Sequence, residues 1–282
     1  EELGWGDPGA ALALDRLGPA LYPLLELGGT AALEEFALPL LKTGTGRAVL
    51  AWDGGPRRDS LKRSNGRLSG ELPWLATERI DLLVLLSPQG ACVVRDGLSV
   101  EALKGAGLRA AGACSVSMKD APLAASWQDA AGAGRALARA RLYVAALMVG
   151  LMRRAAEYSR DYASQREAFG RPIAHHQGLA FLIADMATAV DASRMLLLEA
   201  ACRVERGDEA GRHAAQAFAE TIESSMFVTP NAIQILGGHG FMQDHPVEKS
   251  MREARALGLM LGGIDNARED GGRDIETPAR LI

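Results

Sequence analysis

Residues 234–241 read QILGGHGF and residues 166–173 read REAFGRPI, and these two stretches govern the interpretation of the chain. The glycine-rich stretch allows backbone N–H groups to approach an anionic ligand without intervening side chains. The second stretch places an arginine at a turn, where its guanidinium can hold phosphate or pyrophosphate through two hydrogen bonds. Each stretch alone is more simply a helix C-cap or an ordinary connection. Together they indicate an anion site between helices.

Helical periodicity surrounds both stretches from residue 130 onward. Apolar residues recur at steps of three and four, as on one face of an α-helix. Four such segments joined by short connections predict a helix bundle over residues 128–282. The predicted helices include Val144–Tyr162, Gln177–Arg206, a stretch that ends before Pro230, and about Pro246–Leu261.

The sequence before the bundle has a different texture. Short β-rich runs broken by glycine, proline and aspartate predict a small, reduced β domain over residues 44–127. Residues 1–43 show helical spacing on both sides of Gly28 and Gly29, which predicts a helical hairpin. The predicted fold is mostly α with a small β domain, in the order N-terminal helices, middle β domain and C-terminal four-helix bundle. The predicted strands are 48–52, 82–86, 91–94 and 114–118.

Composition argues against several classes of protein. The 282 residues carry a formal net charge of -4 with both signs interspersed, unlike the basic surface of a nucleic-acid-binding protein. Cys92, Cys114 and Cys202 lie far apart and fit reduced thiols rather than disulfides or a metal site. No apolar run is long enough for a membrane span, and no signal peptide is recognisable. We therefore expect a cytoplasmic protein and, since the chain begins with Glu1, a truncated N-terminal helical region.

Further motifs lie at fixed positions relative to the first two. Gln177 follows REAFGRPI, ADM occupies residues 184–186, PVEK residues 246–249 and REAR residues 252–255. In this combination the sequence resembles the acyl-CoA dehydrogenase family, whose pattern reads RxxFGxPI, glutamine, ADM, QxxGGxGF, a proline with a Glu-Arg-like pair, and RDAR. The resemblance is strong over about residues 130–265, weaker in the β region and limited to the helical pattern near the N-terminus.

The resemblance implies FAD as the cofactor, an acyl-CoA thioester as the substrate and dehydrogenation across its α,β bond, with electrons passing on to an electron-transfer acceptor. It implies no metal. It also implies a homo- or hetero-oligomer, because in such proteins one subunit holds most of each FAD and a neighbour reaches the adenine and pyrophosphate end. The residues that the resemblance assigns to this contact are Arg166, Phe169, Gln177, Gln234, Gly237 and Gly238.

The same resemblance shows that the catalytic base is missing. The reaction needs a carboxylate to remove the α proton of the thioester. Most family members place this carboxylate nine residues after the arginine of RDAR, and counting from Arg252 reaches Leu261. Other members place it just before an arginine on the first bundle helix, and that register puts Ala140 before Arg141. Gly263 also replaces the threonine that contacts the flavin in the family.

The β domain departs from the family as well. The family's flavin-ring loop TEPxxGSD and strand WITN have their nearest matches in WDGGP at residues 52–56 and WLAT at residues 74–77. Neither match is close. The resemblance therefore does not extend to flavin-ring binding by this chain's own half of the site.

Other residues offer alternative chemistry. Asp265 or Glu248 could serve as a base from another direction, although a surface or capping role is favoured for Asp265. His175 and His176 could bind phosphate or a metal, but a solvated pair at a turn is favoured. A structural role is favoured for His239.

Three functional hypotheses remain. The favoured one is a subunit without a catalytic Glu that pairs with an active acyl-CoA dehydrogenase homologue and completes its FAD site. The alternative is a self-sufficient acyl-CoA dehydrogenase with an unrecognised base, since loss of a general base otherwise costs roughly 10²- to 10⁴-fold in rate. A flavin-independent scaffold is the third. The acyl group is not predicted, because apolar pocket residues resemble core residues in a sequence.

Overall fold

The computed structural model describes residues 1–54 and 61–272. Short N-terminal helices precede a β-sheet, and a bundle of longer helices follows, which confirms the predicted fold class. Gly55 and Pro56 of the WDGGP match lie outside the described residues. The helices are α1 Glu2–Gly6, α2 Pro8–Leu14, α3 Leu21–Ala32, α4 Leu38–Thr43, α5 Ala130–Gln165, α6 Gln177–Arg206, α7 Gly211–Leu236, α8 Val247–Leu257 and α9 Gly263–Gly272. The strands are β1 Ala48–Trp52, β2 Leu61–Ser64, β3 Arg67–Leu75, β4 Leu82–Ser87, β5 Gly90–Val94, β6 Leu98–Ala102, β7 Cys114–Gln128, β8 Glu167–Ala168 and β9 Arg171–Pro172.

The N-terminal region is a series of short helices, so the predicted two-armed hairpin is wrong. α2 begins where the Asp7 carboxylate accepts a hydrogen bond from the Ala10 N–H at 2.9 Å. It ends at Asp15, whose carboxylate accepts hydrogen bonds from the backbone N–H groups of Leu17 and Gly18. These local bonds replace the helical pattern, so the backbone leaves the helix there. The break expected at the glycine pair is a kink within α3, where Gly29 has φ 60°.

The β domain is a seven-stranded sheet in the order β1–β4–β5–β7–β3–β2, with β6 also paired to β7. β1 and β4 run parallel, with Ala48 opposite Leu82, and the other pairs are antiparallel. The four predicted strands are present, and β7 is longer than predicted. β2, β3 and β6 were not predicted. β2 and β6 are short and largely exposed, so no apolar pattern marks them in the sequence.

The bundle differs from the prediction at two helix ends. α6 has the predicted bounds and ends at Gly207, which has φ 77°. The end predicted before Pro230 is wrong, because α7 continues to Leu236. Packing against α5 and α6 outweighs the single backbone hydrogen bond that the proline forgoes. The last predicted helix, expected to reach about Leu261, ends at Leu257 as α8, and α9, which was not predicted, follows from Gly263. Leu261, with φ 54°, lies in the turn between them and cannot continue an α-helix.

α5 is the central element of the bundle and contacts both the N-terminal helices and α6, α7 and α8. Two glycines allow α1 to lie directly against it. A Cβ on Gly4 would overlap the Leu147 backbone, and a Cβ on Gly150 would overlap the backbone of Glu1. Within the described ranges, no helix is both long and apolar enough to cross a lipid bilayer.

Candidate functional site

The two motif stretches meet at one cavity, here named the helix-end cavity, with a volume of about 260 Å³. Arg166 lies where α5 ends, and Gln234 lies in the last turn of α7. Gly237 and Gly238 belong to the 3₁₀ turn that follows α7. The structure therefore brings four of the six predicted cofactor-contact residues together. The full lining is Tyr162, Arg166, Ile173, Gln234, Ile235, Leu236, Gly237, Gly238 and His239.

The glycines leave one wall of this cavity open. Gly237 has φ 59° and ψ -134°, a backbone conformation that L-residues with a side chain rarely adopt. A Cβ at Gly237 or Gly238 would meet no atom within 4 Å, so the space beside both residues is empty. A ligand can thus approach the backbone of this turn closely, as the sequence predicts.

Arg166 supplies the positive charge of the helix-end cavity. Its side chain is exposed and, among the described residues, it forms no ion pair. Other arginines of the bundle are engaged, since Arg252 pairs with Glu248 and Arg194 pairs with Glu1. A guanidinium without a carboxylate partner beside open glycine backbone is suited to an anionic group such as pyrophosphate.

Phe169 and Gln177 do not line the cavity. Phe169 stands at the tip of the hairpin formed by β8 and β9 and is 96% exposed, with φ 53°. The following Gly170 has φ 80°, so both turn residues adopt the left-handed conformation of a tight hairpin. Gln177 is exposed at the first position of α6. Both side chains are exposed, and neither lines the helix-end cavity.

Two tyrosines and two histidines form a cluster beside the glycine turn, and this cluster was not predicted from the sequence. The Tyr162 hydroxyl lies 2.8 Å from His239 Nδ1, and the Tyr158 hydroxyl lies 2.7 Å from His245 Nδ1. The two imidazoles are stacked, with ring centroids 5.7 Å apart. The only sequence signal was the spacing of the tyrosines, which places both on one face of α5. His239 was expected to be structural, but it lines the helix-end cavity.

A second cavity, of about 510 Å³, lies between the N-terminal helices, the sheet and the segment after α8. We name it the β-domain cavity; Leu261 lines it, as do Trp52, Trp74 and Thr77. Leu261 is 5% exposed, so the expected base position carries a buried apolar side chain. The Thr77 hydroxyl donates a hydrogen bond to the Arg79 carbonyl at 2.9 Å. That polar group is therefore already engaged within the chain.

A third cavity, of about 530 Å³, lies on the other side of Trp52 and is named the bundle cavity. Arg141, only 2% exposed, lines it and forms an ion pair with Asp270 at 2.6 Å. The Trp52 indole N–H and Arg141 both donate to the Asn266 side-chain oxygen, at 2.7 Å and 3.2 Å. Ala140, the other expected base position, is fully buried and does not line this cavity.

The alternative bases are poorly placed. Asp265 is exposed in the first turn of α9 and lines none of the three cavities. Glu248 also lines none, and hydrogen bonding to Arg252 holds its pKa below the ordinary value. A carboxylate bound in this way is a weak base.

The histidines at the turn before α6 have local partners. His176 lies 3.2 Å from both an Arg171 nitrogen and the Ala168 carbonyl oxygen. His175 is exposed in the preceding 3₁₀ turn. Within residues 1–54 and 61–272, no group of three or more His, Cys, Asp or Glu side chains could hold a metal ion.

Comparison with known proteins gives consistent matches. The model of the family described as "Acyl-CoA dehydrogenase, C-terminal domain" matches residues 131–275. An acyl-CoA dehydrogenase from Bacillus subtilis is 40% identical over 122 residues, which is 43% of this chain and 32% of that protein. A cyclohex-1-ene-1-carbonyl-CoA dehydrogenase from Syntrophus aciditrophicus is 37% identical over 147 residues, covering 51% of this chain and 35% of that protein. The matched segments thus span about a third of these relatives.

Solved structures share the fold along nearly the whole chain. Butyryl-CoA dehydrogenase from Megasphaera elsdenii superposes with a TM-score of 0.80 at 23% identity, covering 96% of this chain and 79% of that one. A structure described as an FAD-dependent dehydrogenase has a TM-score of 0.80 at 21% identity, covering 96% and 80%. At these identities the likeness establishes the architecture alone.

Proposed function

The chain belongs to the acyl-CoA dehydrogenase family, and we propose that it is a subunit that completes the FAD site of a partner chain from the same family. The observation that carries this proposal is a contrast between two sites. The helix-end cavity offers an unpaired guanidinium and open glycine backbone, whereas Leu261 and Ala140 occupy the two base positions. The assembly would act on the α,β bond of an acyl-CoA thioester.

The helix-end cavity fits the adenine and pyrophosphate end of FAD. Arg166 is the residue that would hold the pyrophosphate, and the backbone N–H group of Gly238 would donate to its oxygens. The Gly237 N–H already donates to the Gln234 carbonyl, so Gly237 would contribute open space rather than a donor. Gln234 supplies an amide at the same cavity. Phe169, exposed at its hairpin tip, would pack on the portion of the dinucleotide held by the partner. When bound, FAD supplies the hydride-accepting chemistry of the family.

The β-domain cavity fits the flavin-ring end less well. The Trp52 indole N–H is bonded to Asn266, and the Thr77 hydroxyl is bonded to the Arg79 carbonyl. A Cβ at Gly262 would come within 2.9 Å of the Trp52 ring, so the indole packs directly on the turn beside Leu261. These polar groups are hydrogen-bonded within the chain and are not free to bind a flavin ring. This supports a role for the chain in binding the partner's cofactor rather than a flavin ring of its own.

A partner subunit also agrees with the surface of the bundle. Large apolar side chains are exposed on α6 and α7, where a monomer would leave them in contact with water. We propose that this face contacts the partner, either a copy of the chain or a homologue, and that the assembly passes electrons to a separate acceptor in the cytoplasm. The side chains are Phe181, Met195, Leu196, Leu198, Met226 and Phe227.

A self-sufficient enzyme is the second candidate, because carboxylates do line the β-domain cavity beside Leu261. Asp15, Asp53 and the exposed Glu71 are the carboxylates among its lining residues. Asp15 is engaged, since its carboxylate accepts from the Tyr143 hydroxyl at 2.9 Å and from two backbone N–H groups. Asp53 lies 3.5 Å from the Arg63 guanidinium. Asp15 and Asp53 are thus both engaged within the chain, which favours the subunit role.

The test is a visible absorbance spectrum of the purified chain, alone and co-expressed with a family homologue that retains the glutamate. Anaerobic addition of an acyl-CoA should bleach the flavin of the mixture and leave the lone chain without a flavin signal. A lone chain that is yellow and bleaches would overturn the subunit proposal and favour the second candidate. A mixture that forms no complex and gains no flavin would favour a flavin-independent scaffold.

A further inference from the structure

The helix-end cavity has a potential hydrogen-bond donor besides Arg166 and the glycine backbone. His239 lines the cavity and lies between its two glycines and the end of α5. Its Nδ1 atom is 2.8 Å from the Tyr162 hydroxyl. No residue in the described part of the chain is hydrogen-bonded to its Nε2 atom, and its side chain is exposed on the cavity side.

The direction of the tyrosine contact decides the role of the other ring nitrogen. A neutral imidazole has one N–H donor and one acceptor nitrogen, and the bond made by one nitrogen decides the role of the other. A phenol hydroxyl that donates to Nδ1 leaves the proton of His239 on Nε2. The ring then presents a neutral N–H donor to the cavity, at a position suited to an anionic oxygen.

The neighbouring rings hold His239 in place. His245 stacks on it with an angle of 8° between the planes, and the Tyr162 ring meets both imidazoles edge-on, at 6.0 Å and 5.8 Å. His245 receives its own hydroxyl contact from Tyr158, one helical turn before Tyr162. Neither His245 nor Tyr158 lines the cavity, and loss of the Tyr158 hydroxyl leaves the stacking of His245 on His239 in place.

We propose that His239 is a further ligand-binding residue of the helix-end cavity, donating its Nε2–H to a phosphoryl oxygen of a nucleoside diphosphate group, and that Tyr162 is its positioning residue. This rests on the proposed function, in which the cavity receives the pyrophosphate end of a dinucleotide. It adds a side-chain donor specific for the diphosphate, and it assigns a role to a residue first expected to be structural.

The experiment uses the full chain with the imidazoles labelled with ¹⁵N, and ADP, inorganic pyrophosphate and adenosine as probes. The His239 spectrum should show a protonated Nε2 and an unprotonated Nδ1. His239→Phe, which keeps a ring but has no N–H donor, should weaken ADP binding roughly tenfold, the effect of losing a hydrogen bond to a charged group. Tyr162→Phe should weaken it by a smaller factor and mix the two tautomers of His239. Pyrophosphate should compete with ADP, and adenosine binding should not respond to either variant.

Tyr158→Phe is the matched control, since it removes the same kind of hydroxyl–imidazole contact from His245, away from the cavity. It should leave ADP affinity unchanged. Full ADP affinity in both His239→Phe and Tyr162→Phe, or a proton on Nδ1 of His239, would overturn the assignment. If Arg166→Ala still weakens ADP binding in that case, the proposed function survives. Absence of any ADP binding, or binding indifferent to Arg166→Ala as well, would overturn both.

Discussion

Leu261 occupies the position at which we propose that the catalytic carboxylate is replaced. Its φ of 54° lies in the left-handed region, where the β-carbon of an L-residue crowds the backbone at a cost of roughly 1–2 kcal/mol. The side chain is buried against the β-domain cavity, so apolar contacts offset this cost. A single substitution there tests whether a carboxylate at this position is enough to give activity.

We expect Leu261→Glu in the lone chain to produce no flavin bleaching with an acyl-CoA. The reason is that Trp52 and Thr77 already use their polar hydrogens within the chain. The measurement is anaerobic absorbance, with Leu261→Gln as the uncharged control of matched size. Bleaching by the glutamate variant and not by the glutamine variant would show that this half of the molecule binds a flavin ring.

For Arg166, the expected effect is on cofactor retention by the mixed assembly. Arg166→Ala should weaken FAD binding roughly 10- to 100-fold, because a charge-assisted contact to pyrophosphate is lost. Equilibrium dialysis of flavin from the assembly measures this. Arg160→Ala is the control, since Arg160 is an exposed arginine of α5 paired with Asp161 and does not line the cavity. Equal effects of both substitutions would argue against a specific role.

At the scale of elements, the start of α5 depends on Asp129. Its carboxylate accepts a hydrogen bond from the Gly132 N–H at 3.0 Å and so caps the longest helix. Asp129→Ala should reduce the free energy of unfolding by about 1 kcal/mol, measured by urea denaturation. Asp129→Asn keeps the accepting oxygen and should lose much less. A larger loss for asparagine than for alanine would contradict a capping role.

The contact between α2 and α8 should give the stability a pH dependence. Lys249 lies 3.0 Å from Asp7 and 2.6 Å from the buried Glu253. Burial raises the pKa of Glu253 despite the opposing effect of Lys249. For Asp7, burial acts to raise the pKa, but hydrogen bonds from the Ala10 N–H and Lys249 lower it overall. Folding therefore shifts the pKa values of the two carboxyl groups in opposite directions, upward for Glu253 and downward for Asp7.

The signs predict two separate pH ranges. The Glu253 carboxyl binds its proton more tightly in the folded chain than in the unfolded chain. Its contribution to the free energy of unfolding is therefore fully present below about pH 4.3 and is lost as the pH rises through the raised pKa. The contribution of Asp7 is present above about 3.9 and is lost as the pH falls through its lowered pKa. We expect Glu253→Gln to remove the decline above about pH 4.3, measured by thermal unfolding over a pH series. Glu223→Gln, on the exposed surface, is the control and should leave the profile unchanged.

At the scale of the whole molecule, the exposed apolar face of α6 and α7 predicts association. Phe181 and Met195 are 60% and 57% exposed. A charge at either position would have to be desolvated in an interface, so Phe181→Glu and Met195→Glu should shift the assembly toward monomer. Light scattering after size-exclusion chromatography measures the mass. Arg160→Glu, a charge change on α5, should have no effect, and unchanged mass in the α6 variants would contradict this interface.

The sequence was most informative where one local signal and the tertiary contacts agree. α6 has its predicted bounds because its periodicity, the turn before Gln177 and the left-handed Gly207 all act together. Pro230 misled because packing of α7 overrides a local helix breaker. The same limit applies at the site: motif order placed Arg166 beside the glycine turn, but the contact between Tyr162 and His239 depends on two segments distant in sequence. Only the folded chain reveals it.

The parallel pairing of β1 with β4 has a consequence for the order of folding. Ala48 meets Leu82 only after the intervening β2 and β3 have been directed to the opposite side of the sheet. Such non-local pairing closes slowly, whereas contacts between successive helices close quickly. The helix-end cavity is built entirely from residues 162–239 and needs no strand of that sheet. The helix-end cavity can therefore form while the sheet is still incomplete, and in refolding we expect the bundle to gain its structure before the β1–β4 pair closes.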